Sequence, residues 1–156
     1  MASDTYQGLR QQVLDLDPAD VGFAASDELP DVYGVVMETG LGGDVVTLVA
    51  LLDGTTSLYF STVGGMIGGG EHPQVAAVSQ AALRVAQQHL ADLPPSTDTA
   101  LPDQGRVVMR VLTYGGRRAV EATNRELARG KHPLSPLFYA VDDVITQLRL
   151  LDEAGS

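Results

Sequence analysis

The chain has no cysteine and no tryptophan among its 156 residues. The first absence excludes disulfides, thiolate metal sites and a cysteine nucleophile. The second, with an aromatic content of 5%, leaves little from which to build a stacking surface for single-stranded nucleic acid. Bases are also scarce: 10 Lys and Arg stand against 20 Asp and Glu, a net charge of −10 that argues against general nucleic-acid affinity. No apolar run approaches the length of a membrane span, so no membrane partner is expected. The opening residues MASDTYQG lack the basic start and apolar stretch of a secretory signal, which points to the cytoplasm.

What is present is an ordinary globular composition, 44% hydrophobic with a mean hydropathy of +0.05. A chain of this length reads as a single domain, residues 1–156, able to bury a real core. Its charge is unevenly spread. Residues 1–60 hold ten acids and one base, Arg10. Residues 106–131 hold seven bases (Arg106, Arg110, Arg117, Arg118, Arg125, Arg129, Lys131) against Glu121 and Glu126. Such a segment suits a protein partner, or the acidic half of a second copy.

The chain is organised around Leu58 to Leu93, where a β-type run enters a loop bearing Gly64, Gly65, Gly68, Gly69 and Gly70 and a long amphipathic helix leaves it. The helix is marked by apolar Val75, Val78, Ala82, Val85, Ala86, Leu90 and Leu93. Pro73 fits its first position, with His72 at the cap, and Pro94-Pro95 ends it. Before the loop, Ser3 caps a short helix whose expected buried stripe is Tyr6, Leu9, Val13 and Leu16. Three strands follow: Val32 to Glu38, an apolar central Val45 to Leu52, and Thr55 to Thr62 across a two-residue Asp53-Gly54 turn. After the helix, Arg106 to Tyr114 reads as a strand, and Gly115-Gly116 turns it into a partner from Arg117 to Arg125. The sequence AVEATNRELARG equally suits a short helix ended by Gly130; the turn chemistry favours the strand. Leu134, Leu137, Val141, Val144, Leu148 and Leu151 then mark a closing helix.

The expected fold is α+β: a single antiparallel five-stranded sheet packed with three helices, in the order α-β-β-β-α-β-β-α. That order is similar to the sandwich modules of the profilin, roadblock and longin type. Those place two strands before the middle helix and three after it, where this chain has three and two. No motif matches residue for residue, and no function is carried over.

The glycine loop is neither a P-loop nor G-x-G-x-x-G. A glycine-rich turn opening a helix suits an anion, although Glu71 opposes one. The same glycines also serve wherever the chain turns sharply and passes close to another backbone. Gly-x-His-Pro occurs twice, as Gly70-Glu71-His72-Pro73 and Gly130-Lys131-His132-Pro133, each time opening a helix. If the preceding strands run in the same direction, His72 and His132 meet. Gly68, Gly69, Gly70, His72, Lys131 and His132 then form a small phosphate or carboxylate site, or an acid–base pair. Two histidines fall short of a zinc site, and no other cofactor is indicated. Ser57, Ser61 and Thr62 lack a nucleophile elbow, and Asp142-Asp143 lacks the calcium-loop pattern. With no catalytic residues assigned, the reading is a non-catalytic interaction or regulatory module, as a homodimer or with a protein partner. Anion binding at the glycine loop is the alternative.

Overall fold

In the computed structural model, which describes residues 4–62 and 66–154, the β-type runs pair into one antiparallel sheet. Ser3, Gly64 and Gly65 lie outside the described residues. The strands are β1 (Val32–Leu41), β2 (Asp44–Leu51), β3 (Thr56–Phe60), β4 (Met66–Gly68), β5 (Arg106–Thr113) and β6 (Gly116–Thr123), in the spatial order β4-β3-β2-β1-β5-β6. The helices are α1 (Asp4–Leu14), α2 (Pro73–Gln88), α3 (Asn124–Ala128) and α4 (Ser135–Ala154), with a 3₁₀ turn at Leu90–Asp92.

The fold class is as expected, with one strand and one helix more among the described residues. The added strand, β4, is three residues inside the glycine-rich stretch, too short to show a period. The added helix resolves the ambiguity after β6. The strand ends at Thr123, whose hydroxyl accepts the Glu126 amide while Glu126 accepts the Thr123 amide, a capping box that opens α3. With β4 present, four strands precede α2, one more than the sequence suggested.

Turn chemistry sets the pairing. Leu41 pairs with Asp44 across Gly42-Gly43, both at positive φ (57° and 84°), as the mirror-image hairpin turn requires. The β2–β3 connection has four residues, Leu52 to Thr55, where two were expected. Ala50 pairs with Thr56, the Leu51 amide donates to the Thr55 carbonyl, and Gly54 sits at φ 94°.

Alternation along the strands makes two faces. Val35, Met37, Leu48, Ala50, Leu58, Val107, Met109 and Val111 point to one, under α2 and α4, which pack on each other. Leu137, Val141, Val144 and Leu148 are buried in α4, as its spacing indicated, and Leu134 is buried in the turn just before it. In α2 the buried line is Val75, Ser79, Ala82, Leu83 and Ala86, a rotation that leaves Val78 and Val85 half-buried. Ser79 enters this line because its hydroxyl meets Thr56 Oγ1 at 3.1 Å.

Tyr33, Val36, Val49, Leu51, Tyr59 and Leu112 face the other way, under α1. Here too the helix is rotated from expectation: Tyr6, Arg10 and Leu14 are buried, and Leu9, Val13 and Leu16 pack at the margin. An extended segment, residues 94–105, runs from the 3₁₀ turn back to β5. At its start Ser96 donates to the Arg117 carbonyl and Ala119 donates to the Pro94 carbonyl, covering the outer edge of β6.

Candidate functional site

The glycines at the entry to α2 are close-packed. A Cβ on Gly69 would stand 2.9 Å from Leu148 Cδ2 and 3.2 Å from Leu151 Cδ1, and one on Gly70 would overlap the Gly54 carbonyl oxygen. The loop therefore wedges between the β2–β3 turn and the last turns of α4, a close approach that only glycine permits. It borders an open cavity of about 530 Å³ whose charged lining residues are Asp53 and Glu71. Pro73 takes the first position of α2 and His72 its N-cap, with no hydrogen bond from the ring to the helix amides. The half-exposed His72 ring has Glu71 as its charged neighbour, 3.6 Å away.

The second Gly-x-His-Pro copy works differently. His132 Nδ1 accepts the Leu134 amide at 3.0 Å, and Lys131 is exposed. The strands read from the sequence before the two helices, Thr55 to Thr62 and Arg117 to Arg125, correspond to β3 and β6, which four antiparallel pairings leave running in the same direction. Three strands, β2, β1 and β5, stand between them. A shared direction alone therefore does not bring the two helix starts together. Gly68, Gly69, Gly70 and His72 stay together at one edge, and Lys131 and His132 at the other. His89 closes α2 and lies 3.5 Å from Asp92, the role of a helix-end histidine. Among the described residues, no group of three or more His, Cys, Asp or Glu is placed to hold a metal.

The densest polar cluster lies beneath α1. Glu38 of β1, fully buried, receives Arg10 Nε at 2.7 Å and Arg10 Nη2 at 3.0 Å, a two-point clamp. Arg110 Nη1 donates to Glu38 Oε1, the oxygen that Arg10 Nη2 also reaches. Thr47 Oγ1 donates to Glu38 Oε2 at 2.8 Å, and the Tyr6 hydroxyl lies 2.6 Å from Thr47 Oγ1 and 3.2 Å from Glu38 Oε2. Register builds this group. Thr47 is the direct cross-strand partner of Glu38, and Arg110 stands one step diagonally across on β5, on the same face. Tyr6 and Arg10, four apart, project from one side of α1.

Burial opposes ionisation of Glu38, but the hydrogen bonds and charges of Arg10, the charge of Arg110 and the Thr47 hydroxyl outweigh it and hold the carboxyl below its ordinary value. Burial and the Glu38 charge push the Tyr6 hydroxyl well above its usual range, so it stays neutral. Residues 94–105 close this cluster like a strap. Arg110 Nε and Nη2 donate to the carbonyls of Asp98 (3.3 Å) and Ala100 (2.8 Å), and Arg10 Nη2 donates to that of Thr99. Arg117 reaches the Thr97 carbonyl at 3.3 Å and that of Leu14 at 3.0 Å. The sequence hid this group, since Arg10 and Arg110 lie 28 and 72 positions from Glu38. One signal was visible: Arg10 is the lone base in an acidic half.

The basic segment is divided by its environment. Arg110 is buried, Arg106 bonds Glu121 at 2.5 Å, and Arg117 and Arg118 donate to backbone carbonyls. Arg125, Arg129 and Lys131 remain exposed, and no ion pair engages them among the described residues. Arg129 and Lys131 lie in the turn that ends α3. Gly130, at φ 71°, donates to the Leu127 carbonyl and Lys131 to that of Glu126, a Schellman turn. Beside it Tyr139, 44% exposed, anchors its hydroxyl on the Ala128 carbonyl at 3.0 Å. No family model, curated protein or solved structure matches the chain.

Proposed function

We propose that the protein is a cytoplasmic, non-catalytic interaction module that docks an acidic protein segment on the α3 corner. The observation that carries this reading is the group Arg125, Arg129, Lys131 and Tyr139. Three exposed cations without an ion pair among the described residues lie on and just after α3, and the Ala128 carbonyl, between Arg125 and Arg129 in the chain, holds the Tyr139 ring in place. Arginine and tyrosine are the residue types that dominate binding energy at protein interfaces. A ring ordered beforehand loses little entropy on docking. Long-range charge attraction speeds encounter with an acidic surface and weakens with salt. The rest of the molecule is strongly acidic, so the same corner also suits the acidic half of a second copy.

The test is fluorescence anisotropy with a labelled glutamate-rich peptide, at low and high salt, beside light scattering of the protein alone. Wild type should bind the peptide at low salt. Tyr139→Ala should weaken binding, and the triple change Arg125→Glu, Arg129→Glu, Lys131→Glu should abolish it. A dimer lost with salt and in the triple variant identifies the partner as a second copy. Equal binding by wild type and the triple variant, or none by wild type, ends the proposal.

A further inference from the structure

Among the described residues the buried charged side chains are Arg10, Glu38 and Arg110, two positive charges sharing one negative. A buried charge without a counter-charge is costly, and hydrogen bonds to neutral acceptors only partly offset it. Here Arg110 Nε, Arg10 Nη2 and Arg110 Nη2 also meet the backbone carbonyls of Asp98, Thr99 and Ala100, all neutral. A further negative charge, the Asp98 carboxylate, exposed on the strap, acts on both guanidiniums. Between strap and sheet a cavity of about 110 Å³ reaches Arg110, bounded by Ser96, Asp98, Ala119 and Glu121. A water molecule takes about 30 Å³ of liquid, so there is room for a carboxylate or a phosphate group.

The geometry points to an oxyanion site closed by its own chain: a carboxylate or phosphate group replaces the strap carbonyls on Arg10 and Arg110, and residues 97–101 lift to admit it. The exchange turns neutral hydrogen bonds into charge-assisted ones and gives the uncompensated buried positive charge a negative partner. The two acids at the cavity do not prevent it. Asp98 leaves with the strap, and Glu121 is held by Arg106 at 2.5 Å. Both ends of the strap are tied down. Ser96 bonds Arg117 at one end, and at the other Gly105 donates to the Gly40 carbonyl while the Gly42 amide donates to Gln104 Oε1. Movement is thereby confined to the stretch that carries the three carbonyls.

The experiment follows arginine Nε resonances by NMR during titration with inorganic phosphate and, separately, with acetate, at constant ionic strength against a chloride control. The Arg10 and Arg110 signals should shift saturably with at least one of them, and the two titrations tell phosphate from carboxylate recognition. Amide hydrogen exchange at Thr99 to Leu101 should quicken in step. Asp98→Asn, a surface change, removes the competing carboxylate and should tighten anion binding roughly three- to tenfold. The proposal is overturned by the absence of a saturable shift, by shifts confined to Arg125 and Arg129, or by unchanged or weaker binding in Asp98→Asn.

Discussion

Glu38 stands on a strand that otherwise reads as plain core, and its burial makes its charge consequential. Glu38→Gln leaves Arg10 and Arg110 inside with no negative partner. The expected cost is about 3–5 kcal/mol, read from the urea midpoint. Replacing Arg10, Glu38 and Arg110 together with apolar residues should cost much less than that single change, since no lone charge remains. The pH dependence follows from the same atoms. The Glu38 carboxyl is lowered from 4.5 on folding, so its stabilisation is complete above that pH and is lost as acid protonates the folded form. The Tyr6 hydroxyl is raised from 10.0, so its contribution is complete below pH 10.0 and is lost at higher pH. Thermal melts across pH should fall on both sides, and Tyr6→Phe should shrink the alkaline limb, to which the buried Tyr33, Tyr59 and Tyr114 hydroxyls, also raised on folding, contribute the rest. The glycine loop has its own residue-scale test. Gly70→Ala meets the backbone of Gly54, whereas Gly69→Ala meets the movable end of Leu148, so the first should destabilise more, by about 1–3 kcal/mol.

Elements were legible where a regular period reaches one face of the sheet. The line from Leu134 through α4 to Leu148 was readable because each of those positions is apolar and buried. In α1 the apolar period carries the wrong phase, because Arg10 has the character of a surface residue until Glu38 stands opposite it. In α2 the same happened with Ser79, hidden because its partner hydroxyl on Thr56 is 23 positions away. The β4 strand was invisible for a different reason: three residues among glycines carry no pattern, and only pairing with β3 makes them a strand. The histidine pair failed at this scale too. Local sequence marked the start of α2 and came within two residues of that of α4, but the width of the sheet decided where they lie. Two element-level outcomes are expected. Thr123→Ala removes the capping box of α3 at a cost of about 1 kcal/mol in chemical denaturation. Gly130→Ala forces a side chain into the left-handed region and should cost a similar amount, about 1–2 kcal/mol. Either variant should weaken docking of an acidic peptide by loosening the turn that carries Arg129 and Lys131.

At the scale of the molecule, charge is sorted. Four of the seven bases between positions 106 and 131 serve the protein's own carbonyls and carboxylates, and three point outward at one corner. The total of −10 in the sequence revealed the imbalance but not this division, which depends on which strand face each arginine occupies. Reversing the three outward charges should leave thermal stability within about 0.5 kcal/mol of wild type, as expected for surface positions, while eliminating peptide binding. Melting curves alongside anisotropy separate those effects. No described helix is long and apolar enough to cross a membrane. The outer edge of β6 bears on how copies of this chain meet. Pro94 and Pro95 lie along it and have no amide hydrogen to offer an incoming strand, so fibre-like stacking finds no template on that side. Any self-association there has to be made by side chains, which leaves it reversible and open to control by ionic strength.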